Sequence, residues 1–269
     1  MAIITISRGT LSGGKALSEC LVKCLGYRFL DRDMVIGNAS ACGASEEKLR
    51  EAIERPPNFW DHFSEEKSHY MIMFQACLSE QAKQDGLVYL GNAGHLLLHG
   101  ISHVIRVRII APLEFRIREV QQKFGMNREK SVAYIEKQDH DRAKWTKFLY
   151  GVDWSDPALY DVVLNLQRFT IEEGCRFISA MAKEKSFLAT PESLAAISNF
   201  ALSCRVKAAL LLNHEIEPLL IDVTAHNGVV ELKGKVRTRK QWEMVESTAR
   251  NVSGVERLVT DELVQALDR

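Results

Sequence analysis

Residues 4–16 read ITISRGTLSGGKA, an apolar strand that runs into a glycine-rich turn and then opens an amphipathic helix. A turn of this kind gathers several backbone N–H donors at the positive end of a helix, which is phosphate-binding chemistry. Gly9, Gly14 and Lys15 have the P-loop spacing G-x-x-x-x-G-K, in which the lysine reaches the phosphates. Ala16 follows where a serine or threonine hydroxyl would hold magnesium. Ser7, Arg8, Gly9, Ser12, Gly13, Gly14, Lys15 and Ala16 are therefore the candidate contacts to a nucleotide's phosphates, with one standard oxygen missing.

The elements that would position this turn alternate. Short apolar runs at Ile3–Ile6, Leu87–Leu90, Val104–Ile110 and Tyr160–Leu164 are each bounded by Gly, Asp or Pro. Helical patterns lie between them, with one face at Leu17, Leu21, Cys24 and Leu25 and another at Phe115, Val120 and Phe124. Continuously apolar strands separated by helices predict an α/β fold, a parallel sheet buried on both faces in a three-layer α/β/α domain. Residues 45–85 read as a mostly helical insertion broken near Pro56-Pro57, either a lid or acceptor-binding arm or a plain structural arm. Its Phe59, Trp60, Phe63 and Tyr70 either stack a base or pack the arm onto the sheet.

The pattern changes near residue 190. Thr190-Pro191-Glu192 reads as a helix start, followed by a helix to about Leu212. A strand then ends at Ala225, Asn227-Gly228 makes a hairpin turn, and a second strand runs Val229–Val236. Thr238 with Gln241 predicts a capping box for a helix whose Trp242, Val245, Ala249 and Val252 share a face, and Val255–Leu263 closes an αββαβ unit. The expected division is residues 1–189 and 190–269. A second unit of roughly 80 residues closes only a modest core, so it leans on the first domain or on a second copy as a homo-oligomer. Lys233, Lys235, Arg237, Arg239 and Lys240 form the densest basic run, read as a solvated edge or as a contact for an anionic surface or acidic partner.

Composition excludes more than it assigns. Thirty-five basic residues balance 35 acidic ones, so no global field draws the chain to nucleic acid or to an anionic membrane. No run of 18 apolar residues and no signal-peptide pattern is present, and the expectation is a soluble cytoplasmic protein without a transmembrane segment. Cys20, Cys24, Cys42, Cys77, Cys175 and Cys204 form no C-x-x-C pair and no standard metal spacing, so reduced core thiols are expected. His95, His99 and His103 have no carboxylate among them, and no protein-held metal is expected.

The stretches GYRFLDRDMV (26–35), APLEFRIREV (111–120), EKQDHDRAKW (136–145) and GVDWSDPALYDVVLN (151–165), in that order after the loop, resemble the cytidylate-kinase-like family of P-loop nucleoside monophosphate kinases over nearly all of 1–187. NGVVELKGKV (227–236) and VSGVERLVTDEL (252–263) resemble a BON domain. The first resemblance implies ATP on the Ser7–Lys15 loop, with Mg2+ held mainly by phosphates and water. It implies acceptor contacts from Asp31, Arg32, Asp139 and Arg142, with Arg118 nearby. Lys15, Arg116 and Arg142 would neutralise charge on the transferring phosphoryl group. Arginines converging from several segments suit that task, because phosphoryl transfer is mostly charge neutralisation plus in-line positioning.

Three positions depart from the family pattern. Leu11 stands where relatives carry glycine, and leucine is disfavoured at the positive φ that glycine permits. Gly91-Asn92 replaces a Gly-Arg pair, and Ala16 lacks its oxygen. The register is open as well: a Walker reading makes Lys15 the phosphate lysine, whereas an ungapped reading puts Gly14 there. Two functions remain at this point. One is an ATP-dependent kinase for CMP, dCMP or a related acceptor. The other is a catalytically impaired nucleotide-binding sensor coupled to a BON partner-binding domain.

Overall fold

The computed structural model describes residues 1–38, 45–47, 50, 65–213, 215–216 and 220–265. Pro56, Pro57, Phe59, Trp60, Phe63 and the side chain of Tyr70 lie outside the described residues, as does Cys42. The chain divides into two compact units.

The first unit contains Met1–Met34 and Gln84–Thr190. Its five strands are β1 (Ile3–Arg8), β2 (Arg28–Asp31), β3 (Leu87–Leu90), β4 (Val104–Ile110) and β5 (Val162–Asn165). They pair in parallel in the order β2-β3-β1-β4-β5, with Ile3 opposite Leu87 on one side and Val104 on the other. β1 is central, so the turn that follows it leaves the carboxyl end of the sheet at its middle, where open α/β sheets bind ligands.

Alternate strand residues feed the two faces. Ile4, Ile6, Val88, Leu90, Ile105, Val107 and Ile109 join Leu17 and Leu21 of α1 (Gly14–Leu25) and Ile178 of a helix at Ile171–Met181 in one core. On the other face Tyr89 is fully buried, and its ring fills the space over Gly91 and Gly94, where a Cβ would lie 2.1 and 2.4 Å from it. These glycines are needed because an aromatic ring occupies their side-chain positions. The short α2 (Arg32–Gly37) follows β2.

The expected face at Phe115, Val120 and Phe124 is rotated in the structure. In the helix Leu113–Phe124 it is Ile117 and Val120 that are buried, together with Ile135, while Phe124 is exposed and meets the Tyr134 ring at a tilt, with centroids 5.4 Å apart. The branched side chains take the core, and the terminal phenylalanine packs locally at the surface. Cys24 is likewise exposed rather than buried on the apolar face of α1.

The second unit is built on β6 (Ile221–His226), β7 (Val229–Val236) and β8 (Arg257–Gln265), in the order β6-β7-β8. β6 and β7 are antiparallel across Asn227-Gly228, whose φ values of 47° and 77° are the left-handed pair this turn needs. β8 lies parallel to β7, which requires the intervening helix Arg239–Arg250 as a crossover. Gln241 differs from the expected box: Thr238 Oγ1 accepts its N–H at 3.1 Å, but its side chain accepts from the N–H of Arg237, at 2.7 Å, not from that of Thr238.

A helix from the insertion, α3 (Glu65–Ala82), belongs to this unit and packs along the helix Pro191–Leu212. Glu80 pairs with Arg205 at 2.9 Å between them. The segment 185–212 is long and apolar enough to cross a membrane by length and composition. In this unit Leu202, Val206 and Leu210 from it pack against Ile221, Val230, Leu232 and Val245. Within the basic run, Lys233 pairs with Glu231 and Glu262, Arg239 with Glu243 and Lys240 with Glu215, so much of its charge is matched locally.

Candidate active site

The glycine-rich turn is held from below before it meets any ligand. Gly9 N–H donates to the Ile109 carbonyl at 3.1 Å, and the Ser12 hydroxyl donates to the carbonyls of Gly9 and Ile109 at 2.9 and 3.1 Å. Ser7 is buried, with its hydroxyl 3.4 Å from Nδ1 of His95. Burial, and the nearby Arg106 and Arg108, push that imidazole down to about 4 and keep it neutral. Both candidate serines thus spend their hydroxyls on the loop's foundation. Gly13 takes φ 89° as the N-cap of α1, and a Cβ there would lie 2.6 Å from Leu166. Only glycine meets both demands.

Leu11 was expected to resist positive φ; it adopts 52°. A leucine there carries a penalty of about 1–2 kcal/mol, and its side chain packs on the buried cluster of Ile117, Val120 and Ile135. That packing holds the strained residue in place. Leu11→Ala keeps the strain and loses the packing, whereas Leu11→Gly loses both. The alanine variant should therefore be less stable than the glycine variant by about 1 kcal/mol in urea denaturation. Equal stabilities would show that no strain is stored there.

Above the loop the chain converges on Thr10, a residue that sequence reasoning passed over. Of the further helices α4 (Gly94–Leu97), α5 (Leu113–Phe124), α6 (Arg128–Tyr150) and α7 (Ile171–Met181), it is α5 and α6 that reach it. Asp139 on α6 accepts the Thr10 N–H at 2.9 Å and the Thr10 hydroxyl at 2.8 Å, both on Oδ1. Arg116 on α5 donates from Nε to the Thr10 carbonyl at 2.7 Å and pairs with Oδ2 of Asp139. Arg142 donates from Nη1 to the Thr10 hydroxyl oxygen at 2.8 Å and reaches the Arg8 carbonyl and Asp139 at 3.4 Å. The i, i+3 spacing of Asp139 and Arg142 on α6 aims both at the same residue. Gly9 faces Arg116, whose central guanidinium carbon would lie 3.4 Å from a Cβ there, and the Arg8 side chain lies along Gly14.

The electrostatics follow from that crowding. Burial lowers the Arg8 guanidinium to about 10, and Arg142 beside it adds to the effect. Burial also lowers Arg142; Asp139 offsets part of this and Arg116 adds to it. Burial alone would raise the Asp139 carboxyl, but hydrogen bonds from Thr10 and Arg116 outweigh it and hold the group below the usual carboxylate range. Arg116 and Arg142 are thus gathered at the loop around one carboxylate, with the buried Arg8 guanidinium close enough to Arg142 to be lowered by it, an arrangement suited to further negative charge.

Of the remaining candidates, Asp31 and Arg32 lie near enough to act electrostatically on Arg8, and Arg32 on Arg142 as well. Asp31 caps α2 by accepting the Met34 N–H at 2.9 Å, and Arg32 pairs with Asp33 at 3.3 Å. Arg118 is exposed on α5. Lys15 has a side chain 75% exposed and lies 3.9 Å from Glu19. Ala16 is exposed in the first turn of α1. Asn92, in place of an expected cation, lies 3.5 Å from the Thr146 hydroxyl, which donates to the Arg142 carbonyl. Arg108 was also passed over. It is buried, donates to the Trp154 carbonyl at 2.6 Å and lies 4.3 Å over the Trp154 ring, so the 151–165 stretch is built around it.

A five-stranded parallel sheet with flanking helices and a glycine turn contacted by two arginines at its centre defines a kinase-like α/β domain with a phosphate loop. The model of the cytidylate kinase-like family matches residues 3–168, and the chain belongs to that family. Residues 199–266 match the BON domain. The cytidylate kinase of Methanopyrus kandleri is 32% identical over 109 residues, which is 38% of this chain and little more than half, 56%, of that protein. The cytidylate kinase of Methanosarcina mazei is 24% identical over 174 residues, 62% of this chain and 88% of that one. An uncharacterized protein from Eubacterium ventriosum has the same fold, with a TM-score of 0.54 at 16% identity, covering 67% of this chain and 97% of that structure.

Proposed function

We propose that the first unit binds ATP at the Ser7–Lys15 loop and transfers its γ-phosphoryl group to CMP, dCMP or a related nucleoside monophosphate. The observation that carries this reading is the gathering of Arg116 and Arg142 on Thr10 around a single carboxylate, Asp139. Asp139 already supplies an anion to the Thr10 N–H and to Arg116, so these donors suit a phosphate oxygen. An incoming phosphate would exchange with the carboxylate there, leaving Asp139 free to accept a sugar hydroxyl of the acceptor. Magnesium, which would shield phosphate charge, would be carried by phosphates and water, since Ala16 has no oxygen and the Ser12 hydroxyl is committed to carbonyls.

A second reading has its own observations: Asp139 occupies the Thr10 donors and Lys15 points to solvent. In that reading the first unit binds nucleotide without turnover and reports occupancy to the BON unit, which holds a partner. Calorimetry of ATP and of monophosphates, run beside ADP production, separates the two. Lys15→Ala should weaken ATP binding by about 1–3 kcal/mol, the range for a charge-assisted hydrogen bond. The exposed pair with Glu19 contributes little that would hold the lysine back. Unchanged affinity would remove Lys15 from the site, and an absence of ATP binding by the parent would remove both readings.

A further inference from the structure

Three of the cysteines, scattered in sequence, meet in space on the first unit. Cys20 and Cys24 are one helical turn apart on α1, and Cys175 stands on α7, which packs against it. The Cys24 and Cys175 sulfurs are 3.6 Å apart, those of Cys20 and Cys24 are 4.0 Å apart, and all three lie within 4.8 Å of one another. Cys175 is buried, Cys20 is half-buried and Cys24 is exposed, so the cluster has a floor and an opening to solvent. All three are free thiols.

We propose that Cys20, Cys24 and Cys175 form a three-thiolate site for a soft, thiophilic metal ion such as Zn(II), with water completing the coordination. The geometry discriminates between this and a disulfide. Zn–S bonds of about 2.3 Å around one ion set sulfur atoms about 3.8 Å apart, close to the spacing of these thiols. A disulfide would need one pair to close to about 2.05 Å and leaves the third thiol without a part. Soft thiolates select such ions over magnesium or calcium, so this site does not compete for the metal that accompanies a nucleotide.

Binding is balanced by proton release: three thiols and one divalent ion give a tris-thiolate complex of net charge −1 and three protons delivered to solvent. Because only the thiolate ligates, uptake displaces the thiol protons and becomes more favourable as pH rises. The ion would tie α1, which carries the phosphate loop at its amino end, to α7. The sequence hid the site because its ligands have no short motif. They are joined only by one helical turn and by a helix contact across about 150 residues.

The test uses the reduced full-length chain and Co(II) as probe. A single Co(II) per chain should give a thiolate-to-cobalt charge-transfer band that Zn(II) abolishes, with up to three protons released and a raised melting temperature. Cys24→Ser, at an exposed position, should weaken binding about 100-fold or more, since even loss of an outer-sphere partner costs 10- to 100-fold. Cys175→Ser should do the same, and Cys204→Ser, outside the cluster, should leave binding intact. The proposal is overturned if the reduced chain shows no band, if the band survives Cys24→Ser, or if it depends on Cys204. It is also overturned if the three thiols respond only to oxidant, losing two thiols as a disulfide without taking up metal.

Discussion

Arg142→Ala should lower the proposed phosphoryl transfer by about 100- to 1,000-fold, the range for removing one preorganised donor from a charged transition state. Arg142 is the side chain that reaches Thr10, Arg8 and Asp139 at once, so no neighbour replaces it. Its burial beside Arg116 already makes its charge unfavourable in the free protein, and an added phosphate relieves that. The loss should fall far more on monophosphate binding and kcat than on ATP affinity. Arg142→Lys should recover little, because an ammonium cannot span the same oxygens with a planar fork. Steady-state kinetics and calorimetry on the two variants check this. Equal losses for ATP and monophosphate would mean that the loop has collapsed, and turnover within threefold of the parent would remove Arg142 from the chemistry.

Asp139→Ala has the second large effect, on stability. It leaves Arg116 and Arg142 facing each other and the Thr10 N–H without its acceptor. Breaking a fully buried pair costs 3–5 kcal/mol; these side chains keep some solvent contact, so a loss of about 2 kcal/mol is expected. ATP or inorganic triphosphate should raise the melting temperature more in this variant than in the parent, because phosphate oxygens return the missing charge. The pH dependence has a definite sign. The folded carboxyl is held below its unfolded value, so its contribution is present above about pH 4 and is lost as pH falls through the folded value. The stability gap between parent and variant should close in that acidic range. A variant as stable as the parent at pH 7 would mean that the carboxylate is not the arginines' counterion.

What could be read from the sequence was local. β3 and β4 occupy the predicted Leu87–Leu90 and Val104–Ile110, because buried parallel strands are unbroken apolar runs. The Asn227-Gly228 turn was legible because positive φ restricts residue choice. The site's centre was not legible. Thr10 is an ordinary residue between Gly9 and Leu11, and its partners are more than 100 positions away. The same holds for α3, whose partner helix begins at Pro191 with no pattern in either sequence to announce the pairing. Leu11 misled for a different reason: its packing on Ile117 and Val120 offsets a backbone preference that the residue type alone suggests. Arginines that gather from several segments were found through family resemblance, since no spacing joins Arg116 to Arg142.

The most direct test is transfer of a labelled γ-phosphoryl group from magnesium-ATP to a monophosphate by the full chain, with CMP, dCMP, UMP and AMP as acceptors. A kinase site built on Thr10, Arg116 and Arg142 predicts labelled diphosphate from CMP or dCMP, and its near disappearance in Arg142→Ala. Bound ATP with no labelled diphosphate from any acceptor would contradict it and leave a nucleotide-binding module in its place.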